Sequence, residues 1–421
     1  MHVCFLLANE FPADGRHRTH AAALSEAGHT VTVCARGASD DTDREISAGI
    51  DVRRLPDDGL YAGAKGKLDG ARYALRFAQP AWVRTVGDID DEQAIDVCCV
   101  RDLSLVKTGL RIRDKLDVPV VCDLPNPTLA AGAGDTSRGG RVRGIARRVF
   151  HPSWRRNRLV TKSLLDVDQL ITTTEEARAQ YVREKGIDPR RVAVVRDTAD
   201  SSLGSTVESH NLEFDTENSF VVTAIGDGDV DDLEPVVEAA ARAADRAVAL
   251  RLALVGDIGS EVREDLETLA RRRLAGGRVT FQTDTDHTTE YIAASDVCVF
   301  PPTTEETETA IPIVFEAMAM GVPVVVSDET SLSSLVSRTN AGRVVPGENN
   351  EALAEALVSL SDPEIATELG ENGRAAVERE YNWERDTDRL LEIYESVSEE
   401  YQAESQNGPE SRFVSAIRDD P

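Results

Sequence analysis

The chain has 421 residues, 41% hydrophobic and 29% charged, and its 75 acidic against 47 basic side chains give a formal charge of −28. That apolar content excludes a chain disordered throughout, and the length allows two or three domains with large cores. So acidic a surface excludes naked nucleic acid as a partner for the whole surface.

Short apolar runs predict strands at 2–8, 30–35, 51–55, 96–100, 118–122, 167–172 and 192–196, with amphipathic helices at 17–27, 103–116 and 174–185. A polar interval, Thr198 to Glu217, holds no credible element and reads as a linker. The alternation then restarts with strands at 220–225, 252–257, 279–281, 297–300 and 322–326 and a helix from about 232. Helices at about 350–360, 363–378 and 382–402 close the chain before a polar tail. The expected organisation is an α/β domain over 1–200, a linker over 201–218, a second α/β domain over 219–380, a last helix over 381–404 and a tail over 405–421. Two doubly wound, Rossmann-like domains leave a cleft between the carboxyl ends of their strands, where ligands are expected.

The cations are almost all Arg, the only lysines being Lys65, Lys67, Lys107, Lys115, Lys162 and Lys185. This composition resembles that of proteins in a concentrated-salt cytoplasm, where a screening length of roughly 3 Å tolerates such charge. Cys4, Cys34, Cys98, Cys99, Cys122 and Cys298 sit inside apolar runs without metal-ligand spacing and read as small core residues. The N-terminus has no basic stretch, and no apolar run reaches the roughly 18 residues of a span, so a cytoplasmic protein, free or peripheral on the inner membrane face, is expected.

The most informative stretch runs from Glu308 to Ser327 as loop, helix, Gly stop and strand, with Pro312 in the first turn and Gly321 at the cap. A helix beginning near 311, just after a strand, presents free backbone N–H groups and makes an anion site. Glu308 and Glu316 lie eight apart; alone they would only favour the helix dipole. The whole string, continuing Glu316-Ala317-Met318-Ala319-Met320-Gly321-Val322-Pro323-Val324-Val325, resembles the E-x7-E signature of retaining glycosyltransferase family 4, which has the GT-B fold. Asp14-Gly15-Arg16, Gly28 to Val33, Asp96 to Asp102, Asp166 to Thr174, Ser295-Asp296-Val297 and Tyr381-Asn382-Trp383-Glu384 extend the resemblance over nearly the whole chain.

The resemblance implies a nucleotide-sugar co-substrate, with the first domain on the acceptor side and the second binding the donor. It makes Glu308 the catalytic-side carboxylate facing the sugar, gives Glu316 the ribose hydroxyls, and has the amides of Thr309, Ala310, Ile311, Pro312's neighbour Ile313 and the end of the strand at Gly226 meeting sugar and phosphate. Pro312 lines the same turn. No metal cluster and no bound cofactor are implied. Arg101 and Asp102 fall in the acceptor-side loop.

Two positions depart from the family. Where Gly-Arg and a Lys usually neutralise the diphosphate, the chain reads Gly226-Asp227-Gly228-Asp229-Val230-Asp231-Asp232; a divalent cation, an Arg such as Arg101 or a partner chain are the candidate replacements. Where the family has Asp-x-His-Glu, the chain has Asp123-Leu124-Pro125-Asn126, and His17 and His20 read as a solvated helix face. Between Arg138 and Lys162 there is no acidic residue, and Arg141, Arg147, Arg148 and Arg155 accumulate beside Trp154, as on an element lying on anionic lipid or gripping a lipid-linked phosphate. A smaller stretch with Lys65, Lys67, Arg84 and Trp82 is assigned to the same surface. The expected function is sugar transfer, with retention, to a lipid-linked or surface-glycan acceptor; the alternative is an inactive glycosyltransferase-like scaffold or glycan-binding protein.

Overall fold

The computed structural model describes residues 1–11, 16–37, 44–47, 49–56, 78–125, 162–198, 219–226, 230–246, 248–274, 278–283, 287–300, 310–330, 332–347 and 349–406. The interval 199–218, the Arg-rich stretch 138–161 and the tail after 406 lie outside them. The chain forms two units, residues 1–196 with 387–421, and residues 197–386.

The first unit runs β1 (His2–Glu10), α1 (Arg16–Glu26), β2 (Thr30–Gly37), β3 (Arg44–Ser47), β4 (Ile50–Pro56), α2 (Pro80–Glu92), β5 (Val97–Val100), α3 (Val106–Leu116), β6 (Val120–Asp123), β7 (Gln169–Thr172), α4 (Glu175–Lys185) and β8 (Val192–Val194). The sheet order is β3-β4-β2-β1-β5-β6-β7-β8, and only β3 is antiparallel, to β4. Every residue of β5 and β6 is buried, which explains why β5 is an unbroken Val/Cys run and β6 is one up to its closing Asp123, rather than alternating. β3, absent from the expected strands, is an edge strand whose Ile46 is 77% exposed.

The second unit runs β9 (Phe220–Ile225), α5 (Val230–Asp245), β10 (Leu250–Val255), α6 (Ser260–Arg273), β11 (Val279–Gln282), α7 (Thr288–Ala293), β12 (Val297–Phe300), α8 (Ala310–Ala319), β13 (Val324–Ser327), α9 (Ser333–Thr339), β14 (Gly342–Val345), α10 (Asn350–Leu360) and α11 (Pro363–Arg379). Its six strands are all parallel in the order β11-β10-β9-β12-β13-β14, the doubly wound order in which strand direction of travel reverses between β9 and β12. Apolar layers cover both faces: α5 and α10 pack on one, α8 and α11 on the other. The last helix, α12 (Trp383–Gln406), starts in this unit and contributes residues from 387 onward to the first.

One device recurs in both sheets. Asp96, Asp168 and Asp296 each sit one residue ahead of a strand and accept the N–H of His2, Val120 and Val221, at or next to the start of the neighbouring strand, at 2.6, 2.8 and 2.7 Å. The carboxylates satisfy donors that the ladder leaves open at the sheet's amino end. All six cysteines are free and buried. Burial pushes Cys99 and Cys298 each up to about 12, so they are packed as protonated thiols.

Candidate active site

In the second unit the relevant end of the sheet is marked by Gly226, whose N–H donates to Val255 at 3.1 Å, and by Phe300 at the end of β12. Residues 227–229 and 301–309, including Glu308 and Thr309, lie outside the described residues. α8 starts at Ala310, one residue from its expected start, with Ile311 and Pro312 partly exposed in its first turn. Its other side is apolar: Val314, Phe315, Ala317 and Met318 are buried, and Phe315 stacks on Tyr381 with ring centroids 5.7 Å apart.

The helix ends in a Schellman motif. Val322 N–H donates to Ala317 O at 2.9 Å, Gly321 N–H to Met318 O at 3.0 Å, and Gly321 takes φ +74°, the left-handed conformation that favours glycine. Arg374 from α11 donates to Met320 O at 2.6 Å and Ala319 O at 3.3 Å, placing a cation at the negative end of the dipole. Glu316, half-buried, receives a long contact from Thr289 Oγ1 at 3.5 Å. Burial pushes its carboxyl up from the ordinary range, a tendency that the Thr289 hydroxyl opposes.

The first unit holds a denser polar group at the carboxyl end of its sheet. Arg101 leaves β5, Asp123 ends β6, and Arg16, His17 and His20 stand on α1. Asp123 is fully buried; its Oδ1 accepts from Arg16 Nη2 at 3.0 Å and Nε at 3.2 Å, its Oδ2 accepts from Arg101 Nη1, and His20 Nδ1 lies 3.0 Å from Oδ2. Arg101 Nε donates to His17 Nδ1 at 2.9 Å. Burial would raise Asp123, but Arg101, Arg16 and His20 outweigh it and hold the carboxyl well below the usual range. Burial first, then Arg101, lowers His17 to about 3; burial and then Arg16 lower His20 to about 3.

His17 and His20 are therefore not the solvated helix face expected of them: His20 is fully buried and His17 half-buried. Arg101 likewise is no surface cation, with its side chain 1% exposed. Asp102 is spent locally, capping the Leu103–Leu105 turn by accepting from Ser104 N at 3.2 Å and Ser104 Oγ at 2.9 Å. Trp82, assigned to a basic surface, is a fully buried core residue of α2, while Arg84 is exposed. Arg141, Arg147, Arg148, Trp154 and Arg155 lie outside the described residues. The signal for the missed group was a charged residue, Asp123, closing an otherwise apolar strand. Among the described residues no set of three or more His, Cys, Asp or Glu is placed to hold a metal ion, and no helix is long and apolar enough to cross a membrane.

Two doubly wound units, the second with the half-buried helix α8 following β12 in a sheet whose strand order reverses between β9 and β12, define a GT-B class protein. The family described as "Glycosyl transferase 4-like domain" matches residues 17–198, and "Glycosyl transferases group 1" matches 219–362, one in each unit and in that order. The chain belongs to the family 4 type of glycosyltransferases. D-inositol 3-phosphate glycosyltransferase of Rhodococcus opacus is 30% identical over 56% of this chain and 54% of its own length, so the chain spans about half the length of that curated relative. Among solved structures, sucrose-phosphate synthase of Thermosynechococcus elongatus has TM-score 0.66 at 20% identity over 94% of this chain and 99% of its own. Anabaena HepE in complex with UDP-glucose has TM-score 0.68 at 16% identity over 94% and 100%; at such identities these likenesses establish the fold.

Proposed function

We propose that the chain is an active, retaining glycosyltransferase that moves a sugar from a nucleoside-diphosphate sugar to a lipid-linked or surface-glycan acceptor at an anionic membrane face. The observation that supports this best is α8: a helix opening next to the end of β12, capped at its other end by Gly321 and Arg374, and carrying Glu316 half-buried. In this reading Glu316 accepts from the ribose diol, the first-turn amides and Gly226 meet the diphosphate, and Glu308 faces the sugar. The bond from the anomeric carbon to the diphosphate oxygen breaks with its electron pair leaving on the diphosphate. The acceptor hydroxyl then adds on the same face, forming the new carbon–oxygen bond, and passes its proton to the departing diphosphate oxygen.

Relatives support the two ends of this reaction. One acts, by name, on D-inositol 3-phosphate, another is a phosphatidyl-myo-inositol mannosyltransferase of Mycobacterium leprae, and the HepE complex holds UDP-glucose. Within the lipid-linked class, an acceptor with a phosphorylated polyol headgroup is the one favoured, with the Arg-rich stretch 138–162 as its membrane contact and a high-salt cytoplasm as its setting. A divalent cation is the proposed substitute for the missing Arg and Lys near Gly226.

The test is calorimetry with UDP, GDP, ADP and their sugars in molar KCl, with and without Mg²⁺, followed by turnover assays. Nucleotide binding that Glu316→Ala removes, and turnover that Glu308→Gln removes without changing the melting temperature, are expected. A wild type that binds none of these ligands in either condition would make it an inactive scaffold.

A further inference from the structure

Arg101 emerges where the strand order of the first sheet reverses, between β1 and β5. Its guanidinium is held on two sides, by His17 Nδ1 against Nε and by Asp123 against Nη1. The third nitrogen, Nη2, is buried and has no hydrogen-bond partner among the described residues. In a guanidinium, Nε–H and one Nη2–H run parallel as a fork, and here His17 occupies one prong only.

The contact also fixes the imidazole. A guanidinium cannot accept, so His17 Nδ1 is the unprotonated nitrogen and the proton of the neutral ring sits on Nε2. No described residue accepts from that Nε2–H. Among the described residues, then, the buried Arg101 Nη2 and the half-buried His17 Nε2–H have no acceptor, which suits a ligand made of acceptor oxygens.

We propose that Arg101 Nη2 and His17 Nε2–H form an oxyanion site for a phosphoryl group at the carboxyl end of the first sheet, with Asp123 as the positioning residue for Arg101. The low pKa of His17, set by burial and by Arg101 with Arg16 against the pull of Asp123, keeps the ring a neutral donor through the physiological range. His20 packs against the same carboxylate and is neutral as well. The phosphoryl group belongs either to the acceptor or to the donor's diphosphate. The inference deepens the reading above and rests on it for which molecule brings the group, not for the site.

The full chain is titrated in molar KCl with inorganic phosphate, UDP and myo-inositol 3-phosphate, as wild type, Arg101→Lys, His17→Ala and His17→Gln. His17→Ala and Arg101→Lys are expected to weaken the same probe at least tenfold, with His17→Gln, whose amide N–H reaches toward the place of Nε2, keeping most of the affinity. Loss confined to myo-inositol 3-phosphate assigns the site to the acceptor; loss confined to UDP assigns it to the diphosphate. Imidazole ¹⁵N shifts are expected to show His17 protonated at Nε2 only and not titrating near pH 6.5. Unchanged affinities in His17→Ala and Arg101→Lys, no binding of any probe by the wild type, or the opposite tautomer would overturn the proposal. Absence of sugar transfer with phosphate binding intact would instead remove the glycosyltransferase reading and leave this site standing.

Discussion

At the scale of single residues, the group around Asp123 makes the strongest demand on solution conditions. His17 and His20 have an ordinary pKa of 6.5 and folded values of about 3, so between these limits the unfolded chain binds protons that the folded chain does not. Stability therefore falls as pH drops from 6.5 toward 3, by at most about 1.4 kcal/mol per pH unit for each ring. Asp123 works in a lower window: its depressed carboxyl stabilises above the ordinary 3.8 and is lost only as pH falls through its folded value. Thermal unfolding from pH 4 to 8 should give a melting temperature that declines on acidification, with a shallower decline in His20→Gln; parallel slopes would contradict the assignment. Glu316 has the opposite sign. Its raised carboxyl costs stability as pH climbs past 4.5, so Glu316→Gln should melt no lower than wild type at neutral pH while losing nucleotide affinity. None of the Asp123 group was legible as a group, because Arg16 and Asp123 are 107 positions apart and His20, read along its own helix, looks like a polar face. Trp82 misled in the reverse direction: neighbouring arginines suggested a surface that the packing of α2 contradicts.

At the scale of elements, what could be read locally was read well. Gly321 stops α8 in sequence as it does in space, since its role needs only the six residues, 317–322, that close the cap. The aspartates ahead of β5 and β12 were visible as motifs, but their partners on β1 and β9 were not, being 94 and 75 positions away. β3 escaped notice because Arg44 and Ile46 are exposed and Glu45 only partly buried, which leaves periodicity little to reveal. A less visible constraint holds α8 in place from behind. A Cβ on Gly370 of α11 would stand 1.9 Å from the carbonyl oxygen of Gly321, so the two backbones touch there. Gly370→Ala must push α11 off the end of α8 and is expected to cost about 1–3 kcal/mol or more, read by chemical denaturation. An alanine variant as stable as wild type would mean that this contact is not tight.

For the whole molecule, the charge of −28 is the dominant fact. Its repulsion is long-ranged in dilute buffer, where the screening length is about 10 Å at 0.1 M, and nearly abolished at 1 M. Many of the described Arg–carboxylate pairs, such as Arg242 and Arg246 with Glu351, are exposed and contribute little each. The melting temperature should therefore rise steeply between 0.1 and 2 M KCl; a flat response would remove the high-salt setting. The membrane proposal is checked by flotation with anionic vesicles at the same salt, where the wild type should float and a variant neutralising Arg147, Arg148 and Arg155 should not.

The division of the chain also orders its birth on the ribosome. The first unit needs Leu390, Tyr394 and Tyr401 of α12, all buried, with Tyr394 6.4 Å from the ring of Phe5 and Tyr401 donating to Asp117 at 3.2 Å. These residues are synthesised after every residue of the second unit, 197–386. The first unit is thus completed only after the second has been made, and a nascent chain paused before residue 387 lacks the α12 residues that cover Phe5.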